Sequence, residues 1–284
     1  MNQKLKEAHP VLLVLILFVI GAFVFSLLSG IIAALISFFQ PDLVIENLHL
    51  LPKEFPVAYM FYYFVPFQLG FLFIPAAYYF YFLRDRRSRL SYNWKNYLWA
   101  SLLFISVFFL LPFFNEINYY IAKLLGVYEN LAEVSRLNEE RIVELVGPQS
   151  NNHAFWVGVL IIALITAISE ELLFRGFLMN LIAKHSKSVG LSIIGSALFF
   201  ALLHFNYLQL IPLIVFGIAL GAMYQVTGSL LPSILFHAAN NAINLYWVRT
   251  DIEVSWMNEI QWEITIPSII LLMGLIYLKR KKLY

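Results

Sequence analysis

The chain has 284 residues, 61% of them hydrophobic and only 13% charged, with a formal net charge of +2, whereas soluble domains average about 25% charged residues. With a mean hydropathy of +0.77, the composition is that of an integral membrane protein, and apolar runs recurring from end to end leave no room for a separate soluble domain. The lack of cysteine excludes disulfides, thiolate metal sites and cysteine nucleophiles, and no nucleic-acid signature is present.

The first apolar run, 11–39, follows Lys4 and Lys6. It is far longer than the ~7–15 residues of a signal-peptide core and no small-residue cleavage site follows, so it reads as a retained span. Further spans are expected at about 56–83, 96–114, 154–183, 188–207, 208–226, 229–248 and 263–278. The expected fold is all-α: one polytopic domain over residues 1–284 with about eight membrane spans.

Basic residues mark alternate connections. Arg84, Arg86, Arg87, Arg89 and Lys95 follow the second span, Lys184 and Lys187 the fourth, and KRKK at 279–282 the last. The positive-inside rule then puts both termini in the cytoplasm. Asn115 and Glu116 are expected to mark the outer boundary of the third span. In 128–153, the long polar stretch, Leu131, Val134, Leu137, Ile142 and Val146 recur at near-helical spacing, as in an amphipathic surface helix.

The fourth span contains ISEELLFRGF, residues 168–177. A charged side chain at a membrane helix centre costs roughly 2.5–3.5 kcal/mol on insertion scales, so intramembrane charges need partners and usually serve a function. Glu171 and Arg175 are four apart on one helical face in the acid-before-base order that favours pairing. Glu170 is rotated by about 100° from Glu171 and has no basic residue three or four positions away, so its partner must come from another helix.

Two histidines fall inside apolar spans. His204 ends FALLH, with Phe200 one turn earlier, where the ring can buttress the imidazole; His237 opens HAANN, with Asn241 one turn later. If the chain turns near Lys187, Glu170 and His204 stand at one level of an antiparallel hairpin, ~25 Å from its tip at ~1.5 Å per residue. His237 is only ~13 Å beyond a turn at Gly228 on the same rise, so the first hairpin must project about 12 Å further for His237 to reach that level. A carboxylate, two imidazoles and an amide in a low-dielectric cavity suit hydrolysis of a peptide bond by activated water: the carboxylate is the general base, an imidazole orients water or shuttles protons, and the amide stabilises an oxyanion.

Rival chemistries fit less well. Ser196 is ~12 Å along the helix from His204, too far to be its nucleophile, and Ser169 is expected to pack. The only aspartates, Asp42, Asp85 and Asp251, lie in loops and form no intramembrane pair. A proton-coupled transporter would spread acids along a path and show internal repeats, neither of which is evident.

The motifs EELLFR (Glu170 to Arg175), FALLH (Phe200 to His204) and HAANN (His237 to Asn241) resemble the EExxxR, FxxxH and HxxxN signature of the CPBP family, the CAAX proteases and bacteriocin-processing enzymes, also called Abi proteins. The resemblance covers roughly 154–248, the expected catalytic core. It implies an intramembrane endopeptidase of the type II CAAX prenyl endopeptidase kind, in a bacterial cytoplasmic membrane, with its site open toward the cytoplasm. By position, Glu170 with His204 would activate water, and His237 with Asn241 would bind the oxyanion. Asn240 lies near the same face as Asn241, but Asn241 fits the family spacing. Glu171, Arg175, Phe200 and Gly176 would be structural support, Gly176 by allowing close packing. Substrates implied are prenylated CAAX-type C termini or small peptide precursors, with membrane lipid as surroundings. Some members act as immunity proteins, chaperones or scaffolds, the alternative to an enzyme. The motifs carry no signal for oligomeric state. No required cofactor is expected. Zinc needs about three protein ligands, for which Glu170, His204 and His237 are the candidates, but there is no HExxH and the water-activating glutamate would be used up as a ligand.

Overall fold

The computed structural model describes residues 10–39, 54–78, 93–146, 152–250 and 261–283. Every secondary-structure element among them is helical, as expected. In chain order they are α1 (Pro10–Phe39), α2 (56–78), α3 (Trp94–Leu124), α4 (Tyr128–Val146), α5 (Asn152–Ser186), α6 (Val189–Leu202), a 3-10 turn (Tyr207–Gln209), α7 (Leu210–Thr227), α8 (Leu230–Thr250) and α9 (Trp262–Leu283). Lys4, Lys6, the arginines after the second span and the end of the polar stretch at 147–151 lie outside the described residues.

Each expected span contains a helix, but the spans are unequal. Among the described residues, five segments are long and apolar enough to cross a membrane: Ile16–Phe38, Trp94–Leu124, Asn152–Ser186, Tyr207–Thr227 and Trp262–Arg280. Helix α6 has only 14 residues, about 21 Å at 1.5 Å per residue against a hydrocarbon core of ~30 Å. The span expected at 188–207 is cut short because the chain turns at 203–206. Helix α3 continues past the outer boundary expected for its span. It runs through Asn115 and Glu116 to Leu124, so those residues sit inside a helix and do not end it.

The turns are placed by left-handed residues. Lys187 (φ 55°) ends α5 and Gly228 (φ 68°) ends α7; glycine takes this conformation without steric cost. Ser188 then caps α6, its side chain accepting from Leu191 N.

The chain divides into two compact units. The first comprises Met1–Asp85, Glu139–Phe177 and His237–Ile252. Val146, Phe155, Ala163 and Leu245 form one of its apolar clusters, and Met60, Leu145 and Ile161 another. The end of amphipathic α4 is thereby pinned. Helices α1 and α2 approach so closely that a Cβ on Gly70 would lie 2.8 Å from Phe25 N. Helix α5 is not uniformly α-helical: Val159–Ile165 and Leu172–Met179 are π-wound, bracketing the α-helical Thr166–Glu171. Such segments often accompany functional sites.

The second unit comprises Arg86–Asn138, Leu178–Phe236 and Glu253–Tyr284. Helix α3 is tied to its neighbours by side chains reaching backbone carbonyls, the acceptors that an apolar bundle supplies. Trp99 Nε1 donates to Leu275 O at 3.0 Å, Ser106 Oγ to Ser268 O at 2.7 Å and Asn96 Nδ2 to Val226 O at 3.1 Å. Asn118 holds the start of α7, donating to Leu208 O at 2.8 Å and accepting from Ile211 N at 3.0 Å.

Candidate active site

The charged motif of α5 is deeply buried in the first unit: Glu171 and Arg175 are 0% exposed and Glu170 9%. The expected i,i+4 pair forms, with Arg175 Nη1 donating to Glu171 Oε1 at 2.6 Å. This bond satisfies part of two buried charges and accounts for their tolerance in an apolar helix. The Arg175 guanidinium also lies 5.9 Å from the Phe174 ring centroid.

His237 on α8 is the interhelical partner. Its Nδ1 lies 2.9 Å from Glu171 Oε1, and its Nε2 lies 3.7 Å from Glu170 Oε2. A carboxylate paired with arginine only accepts, so Nδ1 carries the proton and donates to Glu171. The ring therefore turns Nε2 toward Glu170. At 3.7 Å that approach is too long for a direct hydrogen bond. The requirement that His237 reach the level of Glu170 is met. Asn241 follows His237 by one turn of α8 and is partly buried, as is Asn240.

The second unit holds the remaining motif. Helix α6 ends at Leu202, so His204 stands in the turn beyond it rather than within the helix. Its Nδ1 lies 2.6 Å from Phe200 O. Because a carbonyl only accepts, Nδ1 bears a proton and donates it to Phe200 O. Phe200, 1% exposed, packs on the imidazole with ring centroids 4.4 Å apart, which is the buttress expected from FALLH. The next residue, Phe205, has φ 52°, a left-handed conformation uncommon for a bulky residue.

Sequence spacing assigned Glu171 to Arg175 alone and missed its bond to His237, which joins the first and third motifs. Residue spacing carried no signal for that second bond, because Glu171 already has a base one turn away. Gly176 is buried in the π-wound stretch and Ser169 is fully buried. For a metal the donor set is short: among the described residues no group of three His, Asp or Glu side chains is gathered to hold one, whereas zinc sites use about three protein ligands.

No curated protein and no solved structure matches the chain. Residues 152–243, a stretch that holds all three motifs, match the family model described as type II CAAX prenyl endopeptidase Rce1-like, a match consistent with the CPBP family, and with the long apolar helices this points to an integral membrane protein.

Proposed function

We propose that the chain is an intramembrane endopeptidase that hydrolyses a peptide bond with water activated by Glu170. The observation that carries this reading is the seating of His237 between two adjacent carboxylates, Nδ1 on Glu171 and Nε2 turned to Glu170. One carboxylate is engaged by Arg175 and holds the ring; the other, Glu170, is the one assigned to the attacking water.

In this mechanism Glu170 removes a proton from the water as its oxygen attacks the carbonyl carbon. The carbonyl π electrons move to oxygen, giving a tetrahedral oxyanion to which Asn241 donates its side-chain N–H and His237 donates from Nε2 when that nitrogen carries a proton, Nδ1 being held by Glu171. Collapse re-forms the carbonyl and breaks the C–N bond, while the proton held by Glu170 passes to the leaving amine. His204, whose Nδ1 is committed to Phe200 O, accepts the second hydrogen of that water at Nε2, while the first goes to Glu170; the mechanism requires His204 to reach that position. No step is routed through a metal ion.

The substrate classes proposed are prenylated CAAX-type C termini and small peptide precursors, presented from the cytoplasmic side of a bacterial membrane. The test is mass spectrometry of a mixed peptide set, prenylated peptides included, after incubation with the purified chain and with its Glu170→Gln variant, each with and without a chelator. Cleavage by the wild-type chain alone supports the reading. Cleavage by both proteins at one rate overturns the role of Glu170, and its loss on chelation overturns the metal-free mechanism.

A further inference from the structure

The second unit contains an apolar cavity of about 250 Å³, remote from the second motif. It lies between α3, α6, α7 and α9 and is walled by Trp99, Leu103, Ile193, Ile218, Ala222 and Ile276, among others. The polar atom of the largest of these is spoken for, since Trp99 Nε1 donates to Leu275 O. Ile193 is separated from His204 by eleven residues, ~16 Å along the helix direction at 1.5 Å per residue, so the cavity stands at the opposite end of α6 from that imidazole.

Three features indicate what it takes. The cavity opens sideways: two of its lining residues, Ile194 and Ile276, are 48% and 39% exposed, and a Cβ added to Gly190 would meet nothing within 4 Å. On an integral membrane protein such an apolar opening faces lipid. Its depth along α3, from Trp99 to Val107, is ~12 Å at 1.5 Å per residue, close to the ~15 Å that one leaflet contributes to a ~30 Å hydrocarbon core. Finally, one end is polar and cationic. One turn from Trp99 stands Asn96, one turn from Ile276 stands Lys279, and Lys279 Nζ donates to Asn96 Oδ1 at 2.8 Å while Asn96 Nδ2 donates to Val226 O. This bond holds the ammonium at the end of the cavity, and Arg280 follows directly.

We infer that this cavity is a binding site for one acyl chain of an anionic membrane phospholipid, whose headgroup is held at the Lys279 end. Basic pockets between membrane helices at the end of a span favour anionic headgroups, and the chain-sized apolar hollow beneath supplies what a surface charge alone lacks. The inference is independent of the peptidase reading, because none of its residues belongs to the three motifs.

The test uses the full chain, delipidated in detergent, with phosphatidylglycerol carrying a photoreactive group on one acyl chain. Illumination and peptide mapping should place the label on the lining stretches of α3, α6, α7 and α9. Unlabelled phosphatidylglycerol should compete about fivefold better than phosphatidylcholine, the weight of one basic residue beside an anionic lipid, and Lys279→Gln should erase that preference while the label stays in place. Labels scattered over the exposed apolar faces of all helices would overturn the site. Equal competition by the two lipids, or a preference unchanged in Lys279→Gln, would overturn the assignment of the headgroup.

Discussion

His237 is bound to Glu171: its Nδ1 donates at 2.9 Å to Oε1, the same oxygen that accepts Arg175 Nη1 at 2.6 Å. All three side chains are buried, at 2% exposure or less. Glu171 is thus the hub of the network, and removing its charge strands a guanidinium in an apolar interior. Breaking a buried ion pair from one side costs about 3–5 kcal/mol. Glu171→Gln should therefore lower the melting temperature of the detergent-solubilised chain markedly, and Arg175→Ala should do the same. Melting at the wild-type temperature would show that the network does not hold the fold.

Gly70 and Gly30 form a matched pair for packing of the first unit. A Cβ at Gly70 would meet Phe25 N at 2.8 Å and Phe25 Cα at 3.0 Å, whereas at Gly30 it would meet nothing within 4 Å. Backbone cannot rotate away as a side chain can, so Gly70→Ala must separate α1 from α2, at a cost of about 1–3 kcal/mol typical of overpacking. Gly30→Ala should be neutral or slightly stabilising, since alanine is the better helix former. Denaturation of the two variants in parallel checks this; equal stability would contradict the close approach.

Phe200 serves both packing and His204. Phe200→Ala should destabilise the chain by about 3–5 kcal/mol, as for other buried phenylalanines. Phe200→Leu retains most of the volume and should cost under about 1.5 kcal/mol, yet it removes the ring that packs 4.4 Å from the imidazole. On the proposed mechanism the leucine variant therefore melts within a few degrees of the wild type, well above the alanine variant, and loses cleavage rate. Full cleavage with leucine would remove the buttress from the mechanism.

Much of this architecture is legible in the residues. The apolar runs locate the helices, Gly228 and the Lys184–Lys187 polar tip locate two turns, and the i,i+4 spacing locates the Glu171–Arg175 pair and the Phe200–His204 contact. What escapes is set by interactions that are not local. The extension of α3 past Glu116 is invisible to hydropathy, because polar residues end an apolar run without ending a helix. The π winding on both sides of Glu170 leaves no compositional trace. The bond from Glu171 to His237 spans 66 residues, and an acid that already has a base one turn away gives no reason to look for a second partner.

The division of labour between Glu170 and Glu171 is the central claim, and the most direct measurement sets Glu170→Gln beside Glu171→Gln, with melting temperature and cleavage rate read on the same preparations. The account predicts that Glu170→Gln melts as the wild type does and loses cleavage by at least about 10²-fold, the lower range for a general base, while Glu171→Gln loses stability. A Glu170→Gln variant that cleaves at the wild-type rate would contradict it.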